Sequence, residues 1–535
     1  MNTLGDESMN FDFLSNLTDF KQLAKFCNDA EDLVFDKPDL SAASSRKALE
    51  SIVKSFYVAK YGYYNSTSSL FELIDDPYFS AYLDEPLLSS MHFVRKIGNN
   101  GAHGEEVTKK QAVWCLHALH DSVVGILKFL GVIEEADAFK VSFYDTKPAA
   151  EPVASKVIEE EVEIDKEALS KYKESIDESI TLKATQDITE AETRKLYIDE
   201  ALKEAGWKIH DKDNVVVPGL ACTEIVLEGM PNPSDEGRAD YILFDDDGMP
   251  LAVIEAKRTS VDPVKGYHQA ELYANAIEDK WGRRPVIFTT NGYTINIVDT
   301  QGYPERKIFG FYSKAELKYL LAKKQDGNIV HAHIDQTISD RPFIQEAVTA
   351  VCETFNKKRR KALVVMATGT GKTRFAISLV DVMNKYSWAK HVLFLADRTA
   401  LVSQAKANFT KYLPSNTICV LSDENESERD YNAQITLSTY QTMINTIDGD
   451  NRKYGVAHFD LIILDECHRS IYNKYRAIFT YFDSLLLGLT ATPKEYDELL
   501  TTYDVFDLPK GEPTYSYDFE TAVKEKFLVD FHVFQ

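Results

Sequence analysis

An apolar run that passes directly into a glycine-containing loop and then into a helix limits the fold of this chain more than any other feature. The run is residues 362–366, and the loop, residues 367–373, reads Ala-Thr-Gly-Thr-Gly-Lys-Thr. A buried strand, a loop whose backbone N–H groups can surround phosphates, and a helix N-terminus are the parts of a P-loop. The strict pattern begins with Gly, where this chain has Met366.

Each position of this loop has a predicted task in binding ATP. Lys372 would place a positive charge on the β and γ phosphates, and Thr373 would ligate Mg²⁺. The backbone of the preceding residues would surround the phosphates, and these residues are Thr368, Gly369, Thr370 and Gly371.

A second apolar strand, residues 459–464, ends in Asp465-Glu466. Acidic residues at the carboxyl end of a strand face the ligand crevice of a parallel sheet. Asp465 would hold Mg²⁺, and Glu466 would be a catalytic residue that orients or deprotonates the attacking water. Further apolar strands at 392–396 and 485–489 alternate with helical segments, which is typical of a parallel sheet covered on both faces.

These residues resemble motifs I, II and III of superfamily 2 helicases. The matching segments are 366–373, Asp-Glu-Cys-His at 465–468 and Thr-Ala-Thr at 490–492, and Gln345 resembles the adenine-reading glutamine of that family. The resemblance implies a RecA-like P-loop domain that binds ATP. The family also has a second lobe with arginines that complete the ATP site, and about 40 residues follow Thr492. We therefore expect the N-terminal part of a longer protein, which binds ATP better than it hydrolyses it because lost arginines cost roughly 10³ in rate.

A predicted hairpin carries a second group of charged residues. Residues 238–244 and 251–257 flank Asp-Asp-Asp-Gly at 245–248, and a type I′ turn at Asp247-Gly248 would place Asp240 opposite Glu255. Lys257 would share their face because side chains alternate along a strand. Two facing carboxylates repel unless a cation lies between them, and Mg²⁺ prefers such oxygen ligands. Solvated charges on a surface hairpin are the alternative for this trio alone.

The trio Asp240, Glu255 and Lys257 resembles the PD-(D/E)xK nuclease core. Gln269 and Tyr273 match the Gln-x-x-x-Tyr element of its RecB-like branch, and Glu192 fits the upstream acidic position. The resemblance implies that all six are catalytic-site residues, with Mg²⁺ held by Asp240 and Glu255.

A PD-(D/E)xK domain ahead of a superfamily 2 motor resembles the R (HsdR) subunit of type I restriction-modification enzymes, from about residue 165 onward. This resemblance implies an ATP-dependent endonuclease that translocates and cuts double-stranded DNA, with modification and specificity subunits as partners. Two alternatives stay open: a nucleic-acid remodelling helicase with an inert nuclease-like domain, and a DNA-binding scaffold without chemistry of its own.

The N-terminal part has apolar residues at helical spacing and predicts an all-α domain. Residues 95–103, with Gly and Asn between Arg95 and His103, predict a turn between helices and resemble a helical domain of unknown function (DUF4145) related to HEPN folds. The spacing from Arg95 to His103 is longer than in HEPN ribonucleases, so we assign this domain to docking.

Composition sets the remaining limits. The chain has 535 residues, too many for one core, and a net charge of −24, which argues against coating nucleic acid non-specifically. Its six cysteines lack a Cys-x-x-Cys pair, and no apolar run or signal peptide indicates a membrane, so we expect a cytoplasmic protein. The predicted divisions are a helical domain at 1–145, a linker at 146–165, an α/β nuclease domain at 166–325, an α/β RecA-like domain at 326–510, and the start of a second lobe or a truncated end at 511–535.

Overall fold

The computed structural model describes residues 9–66, 68–102, 106–144, 161–184, 191–256, 263–421, 429–448, 452–467, 471–493 and 501–529. The side chains of 191–194, 263–266, 448 and 471–474 are not described. The chain divides into two compact units: residues 1–197 with 292–294, and residues 198–291 with 295–535. The molecule is thus multidomain, with a helical region and an α/β region that includes a parallel sheet. None of the described helices has the length and apolar character to cross a bilayer.

The first unit is built around α2, a long helix that packs against its neighbours α1, α5 and α6. A single apolar core fills the space between them, with Phe56, Leu116 and Phe129 fully buried. The helices of this unit are α1 (Lys21–Leu33), α2 (Pro38–Tyr61), α3 (Leu70–Asp75), α4 (Pro77–Ser80), α5 (Glu85–Ala102), α6 (Lys109–Phe129) and α7 (Lys166–Ser170).

The turn predicted at 95–103 is wrong over residues 95–102, which continue α5 to its end at Ala102. The glycines serve close helix packing instead of chain reversal. A Cβ atom on Gly98 would lie 2.4 Å from the Cβ of Arg46, and one on Gly101 would lie 2.1 Å from the carbonyl oxygen of Asp39, both at α2. Glycine lets the two backbones approach this closely. His103 lies outside the described residues.

The second unit contains, within the described residues, a mixed sheet and a parallel sheet. The mixed sheet has the order β1-β2-β3-β4-β5-β6-β7, with parallel pairing at β1–β2 and β4–β5 and antiparallel pairing elsewhere. Its elements are α8 (Ala191–Glu204), which begins before the unit boundary, β1 (Ile209–His210), β2 (Ala221–Glu228), β3 (Glu236–Phe244), β4 (Pro250–Ala256), α9 (Pro263–Trp281), β5 (Val286–Thr290), β6 (Ile295–Val298), β7 (Arg306–Ile308) and α10 (Lys314–Ala322).

The β3–β4 hairpin keeps the predicted register but reaches it by another route. The type I′ turn is wrong, because Gly248 has a positive φ of 79° while Asp247 does not. The backbone N–H of Gly248 donates to Asp245, and that of Asp245 donates to Met249, so the loop is one residue longer than predicted. A register shift between Leu243 and Phe244 compensates. The pairs from Leu243 toward the site therefore follow the predicted register.

The parallel sheet has the order β10-β11-β9-β12-β13-β8-β14, and every neighbouring pair in it is parallel. The predicted strands at 362–366, 392–396 and 485–489 form, and β12 forms within the predicted strand 459–464. Its elements are α11 (Pro342–Asn356), β8 (Lys361–Met366), α12 (Lys372–Lys385), β9 (Val392–Ala396), α13 (Thr399–Tyr412), β10 (Ile418–Leu421), β11 (Ile435–Thr439), α14 (Tyr440–Asp448), β12 (Leu461–Leu464), α15 (Ile471–Tyr481), β13 (Leu485–Thr490), α16 (Thr502–Val505), β14 (Tyr515–Tyr517) and α17 (Phe519–Lys524).

A short segment after residue 510 belongs to this same sheet. Strand β14 pairs with the end of β8, in the register Tyr515 to Val364 and Tyr517 to Met366. We predicted that 511–535 is the start of a second lobe or a truncated end, and the structure places β14 of this segment at the edge of the first sheet. The predicted linker at 146–165 lies outside the described residues up to 160.

Candidate functional site

The predicted phosphate loop joins β8 to α12 as the sequence indicated. Gly369 and Gly371 have φ values of 86° and 107°, which L side chains rarely adopt. The side-chain hydroxyl of Thr370 is buried and donates to the carbonyl of Ala367 at 2.6 Å, closing the loop on itself. Thr368 lies in the turn, and Lys372 is the first residue of α12. The loop thus presents a helix N-terminus, which is an electrostatically favourable place for phosphate.

An ion pair brings the end of β12 to this loop. Strand β13 separates β12 from β8, yet the Nζ of Lys372 lies 2.9 Å from the Oε1 of Glu466. Glu466 has a φ of 51°, a left-handed conformation that is uncommon for a residue with a side chain. Two predicted site residues, one from each half of the motif set, are therefore in contact.

Backbone hydrogen bonds hold Asp465 at the carboxyl end of β12, on the same side of the sheet as the phosphate loop. Its N–H donates to Leu395 of β9 at 2.9 Å, and its carbonyl accepts from the hydroxyl of Tyr440 at 3.3 Å. The carboxylate Oδ1 accepts from the N–H of Glu466 at 3.1 Å. Thr373 follows Lys372 in the first turn of α12. A hydroxyl and a carboxylate are oxygen donors of the kind Mg²⁺ accepts, so these two residues suit a magnesium ion bound with a nucleotide.

Arg341 contacts the loop more directly than Gln345 does. The Nη1 of Arg341 donates to the carbonyl of Thr370 at 2.7 Å, whereas the side-chain amide of Gln345 lies 3.5 Å from the carbonyl of Ser339. Sequence reasoning missed Arg341, although it stands immediately before Pro342 at the start of α11.

Aromatic side chains from two distant segments stack beside this loop. The rings of Phe343 and Tyr517 lie 4.0 Å apart and are nearly parallel at 8°, and Phe527 packs edge-on against Phe343. The N–H of Ala367 donates to the carbonyl of Tyr517 at 3.0 Å. Strand β14 and the residues after it thus help to hold the start of the phosphate loop.

The second candidate site lies on β3 and β4. Tyr241 pairs with Ile254, so Asp240, one residue earlier, lies opposite Glu255. The Oδ2 of Asp240 accepts from the N–H of Ala256 at 2.6 Å, which ties it to the partner strand. Glu255 is 4% exposed and Asp240 is half-buried. These are not the freely solvated charges of a surface hairpin.

Tyr273 on α9 lies close to the two carboxylates. Burial raises the pKa of its hydroxyl, and the charges of Glu255 and Asp240 raise it further, while a hydrogen bond from Gln269 works against the rise. The Nε2 of Gln269 donates to this hydroxyl at 2.6 Å. A Cβ on Gly237 of β3 would lie 2.6 Å from the Tyr273 ring. Four predicted site residues are thus gathered on one side of the hairpin.

Other predicted residues cannot be placed. Lys257 lies outside the described residues, as does His468, and Glu192 lies in α8 with an undescribed side chain. Within the described part of the chain, no group of three or more His, Cys, Asp or Glu side chains is arranged to hold a metal ion. A Mg²⁺ ion nevertheless often has only two carboxylates as protein ligands, because waters or phosphate oxygens fill its other coordination positions.

Three family models match the chain. Residues 221–307 match the family described as "Type I restriction enzyme R protein N terminus (HSDR_N)". Residues 337–495 match "Type III restriction enzyme, res subunit", and residues 28–135 match "Domain of unknown function (DUF4145)". The mixed sheet and the parallel sheet thus fall under separate restriction-enzyme descriptions.

Two similar curated proteins are described as endonuclease subunits of type I restriction enzymes. The EcoAI endonuclease subunit of a type I restriction enzyme from Escherichia coli is 31% identical in an alignment of 377 residues that covers 65% of this chain and 44% of that protein. The chain is thus similar to endonuclease subunits of type I restriction enzymes. A second similar protein, the EcoKI endonuclease subunit of a type I restriction enzyme from Escherichia coli K12, is 27% identical over 67% of this chain and 36% of its own length. The chain therefore spans less than half the length of these two relatives.

Proposed function

We propose that this chain provides the nuclease and the first motor lobe of an ATP-dependent type I restriction endonuclease. The observation that carries this proposal is the presence, in one compact unit, of the Asp240–Glu255 pair and of the Lys372–Glu466 contact. The first suits phosphodiester hydrolysis and the second suits ATP hydrolysis. Both relatives described above are named as endonuclease subunits.

For the motor, ATP is the substrate and the loop 367–373 is its phosphate site. Lys372 would release Glu466 and turn to the β and γ phosphates, because phosphate oxygens carry more negative charge than one carboxylate. Glu466, once released, would orient or deprotonate the attacking water. Thr373 and Asp465 would hold Mg²⁺, which neutralises phosphate charge when bound. Arg341 and Gln345 stand at the start of α11, where the base of the nucleotide would bind.

For the nuclease, we assign the mixed sheet to the PD-(D/E)xK class. Asp240 and Glu255 would hold Mg²⁺, which would supply a positive charge beside the scissile phosphate. Gln269 and Tyr273 would position the DNA backbone or the two carboxylates through their hydrogen bond. Lys257 would stabilise charge that develops on the phosphate, and Glu192 would be the upstream acidic residue.

The partners follow from the same proposal. Double-stranded DNA would be the substrate, and modification and specificity subunits would select the site, in the cytoplasm. We assign the helical residues 1–145 to docking, 146–165 to a linker, 166–325 to the nuclease and 326–510 with β14 to the motor lobe.

Reconstitution of the full-length protein with candidate modification and specificity subunits tests the proposal. Cleavage of unmethylated DNA and DNA-stimulated ATP hydrolysis would be measured for the parent and for Lys372→Ala, Glu255→Gln and Lys257→Ala. We expect Lys372→Ala to lose both activities, and the other two to lose cleavage while they keep ATP hydrolysis.

Asp246→Asn, which removes an exposed ion pair with Lys314, is the matched control and should keep both activities. Full cleavage by Glu255→Gln and Lys257→Ala would favour a remodelling motor with an inert nuclease-like domain. Absence of both activities in the parent complex would favour a DNA-binding scaffold.

A further inference from the structure

The phosphate loop lies at the carboxyl ends of the parallel strands. At their amino ends lies a cluster of buried charges that has no part in either candidate site. Asp460 immediately precedes β12, Asp483 stands two residues before β13, and Arg360 immediately precedes β8. Residues of the mixed sheet and of α10 reach these positions. We call this set the docking cluster, and its members are Asp460, Asp483, Arg360, Arg306, Tyr312 and Lys323.

Asp483 is held by three partners. The guanidinium of Arg306, from β7, makes a two-pronged contact, with Nε 2.9 Å from Oδ1 and Nη2 2.7 Å from Oδ2. Arg360 donates to Oδ1 at 2.6 Å, and the hydroxyl of Tyr312 donates to Oδ2. The side chain of Asp483 is 7% exposed. A buried, two-pronged arginine–carboxylate contact has a narrow range of allowed geometries, so it orients as well as attracts.

Arg306 is itself oriented from within the mixed sheet. Its Nη1 lies 2.7 Å from the Oδ2 of Asp299, whose side chain is 2% exposed. The ring of Tyr303, from the same part of the chain, lies beneath both Arg306 and Arg360, at 5.8 Å and 5.0 Å. Asp299 and Tyr303 therefore help to orient the guanidinium of Arg306 toward Asp483.

Asp460 repeats this arrangement at the next strand. The Nζ of Lys323 lies 2.5 Å from Oδ1, and the hydroxyl of Tyr319 on α10 donates to Oδ2 at 2.9 Å. The backbone N–H groups of Lys390 and His391, just before β9, donate to the same Oδ2 at 2.8 Å and 3.0 Å. The side chains of Lys323 and Asp460 are 10% and 6% exposed.

A third contact joins the same helix to the parallel-sheet side. The Oε1 of Glu316 on α10 accepts from the N–H of Ala457 at 3.0 Å. A Cβ on Gly455 would lie 2.3 Å from this oxygen, so the approach requires glycine. The contacts are spread over the amino ends of β8, β9, β12 and β13. The mixed sheet therefore cannot rotate about any one of them without breaking the others.

Buried charges of this kind contribute more to geometry than to net stability. The free-energy cost of removing both charged groups from water offsets most of the attraction between them. A buried charge that loses its partner, however, is strongly destabilising. The mixed sheet therefore has one orientation that satisfies every charge of the cluster, and any tilt leaves a buried charge without its partner.

We propose that the docking cluster fixes the mixed sheet to the parallel sheet as one rigid body, with Asp483, Arg306 and Asp460 as positioning residues that couple DNA cleavage to ATP-driven movement. The coupling half rests on the proposed function, whereas the rigid-body half does not. The cluster lies at the amino ends of the parallel strands, and the phosphate loop lies at their carboxyl ends. Force produced at the ATP site therefore passes along the strands of the parallel sheet to the nuclease.

Two readouts on the full-length protein test the two halves separately. For rigidity, spin labels would be placed by Lys280→Cys on α9 and Lys411→Cys on α13, both exposed positions. The six cysteines of residues 1–535 are buried thiols, so within these residues labelling would be confined to the introduced cysteines, and any reactive cysteine elsewhere in the protein would be replaced first. We expect a single narrow distance distribution in the parent and loss of that narrow peak in Asp483→Asn.

Arg306→Lys is the second, milder variant, because it keeps the charge but cannot make the two-pronged contact. It also covers the case in which Asp483→Asn does not fold. Asp246→Asn is the matched control, since it removes an exposed ion pair to the same helix α10 through Lys314, away from the parallel sheet. The control should keep the narrow peak.

For coupling, DNA cut per ATP hydrolysed would be measured in the reconstituted complex. We expect this ratio to fall about tenfold or more in Arg306→Lys, because a small displacement of a catalytic group lowers the cleavage rate by at least that factor. ATP hydrolysis should stay near the parent value. A narrow peak in Arg306→Lys would overturn the rigid-body half, and an unchanged ratio would overturn the coupling half. If the parent complex did not cut DNA, the proposed function would fail, and the distance measurement would still decide on rigidity.

Discussion

The ammonium of Lys372 lies 2.9 Å from the carboxylate of Glu466, across the strand that separates β8 from β12. Each group neutralises the other where a nucleotide would bind. The contact therefore links occupation of the phosphate loop to the freedom of Glu466.

Replacement of Glu466 by Gln should separate nucleotide binding from hydrolysis. Lys372 loses its competing carboxylate, so ATP affinity should be kept or increased, whereas hydrolysis should fall about 100-fold or more because the water loses its base. Fluorescent-nucleotide titration and phosphate release measure the two effects. Asp381→Asn, which removes an ion pair with Lys385 on the same α12, is the control. Hydrolysis at the parent rate in Glu466→Gln would remove Glu466 from the mechanism.

A glycine pair in the first unit should respond oppositely to alanine. Gly101→Ala places a Cβ 2.1 Å from the carbonyl oxygen of Asp39 and should lower the free energy of unfolding by about 1–3 kcal/mol. Gly125→Ala on α6 meets only Leu182 at 3.4 Å and should be neutral or stabilising by up to about 1 kcal/mol, since alanine favours helix. Urea unfolding curves measure both. Equal effects would contradict the close packing of α5 on α2.

The first unit should lose stability as the pH falls from about 7 to 5. His117 and His120 on α6 are 5% and 3% exposed, and burial lowers the pKa of each to about 4. In the unfolded chain these imidazoles take up protons near pH 6.5, whereas in the folded chain they do so only near pH 4. Protonation therefore favours the unfolded chain as the pH falls from about 6.5 to 4, and stability present at pH 7 is lost. The loss should be about 2 kcal/mol for each imidazole by pH 5.

Hydrogen exchange of α6 at the two pH values measures this loss. His120→Phe keeps a ring beside Phe11 and Phe139, which now contact the imidazole, and should reduce the pH dependence. The same slope in this variant and in the parent would show that the buried imidazole does not cause it.

The β3–β4 loop should tolerate alanine poorly at Gly248 for conformational reasons alone. The nearest atom to a new Cβ is the Cγ of Pro218 at 3.7 Å, so no collision occurs, but the positive φ of 79° should cost about 1 kcal/mol. Gly327→Ala is the control, because its Cβ would meet nothing within 4 Å and its φ is not positive. The urea midpoint measures the difference. A Gly248→Ala protein as stable as the control would contradict the loop geometry.

Local patterns predicted the strands well and the turns less well. The apolar run at 392–396 became β9 with the same bounds, and the run at 459–464 contains β12 (Leu461–Leu464). A run that is buried on both faces has few other structures open to it. The segment 95–102 was misjudged as a turn, since glycines that permit close helix contact look the same in sequence as glycines that permit a turn.

The facing of Asp240 and Glu255 was predicted correctly from an incorrect turn. The loop is longer by one residue than the Asp247-Gly248 turn requires, and a shift between Leu243 and Phe244 restores the register. A one-residue slip would have turned Glu255 to the other face of the sheet. The register is set by which side chains are buried, and the loop and the shift adapt to it.

The sequence by itself determined the phosphate loop, the acidic pair after β12, the hairpin that carries Asp240 and Glu255, and the parallel strands. All of these depend on residues near one another in the chain, where spacing and periodicity are informative. Only the tertiary structure decided that Lys372 meets Glu466, that Arg341 reaches Thr370, that Tyr515–Tyr517 completes the sheet edge, and that Arg306 holds Asp483. These contacts depend on strand order and on surfaces brought together from distant segments, and no local pattern encodes which distant groups will share one buried space.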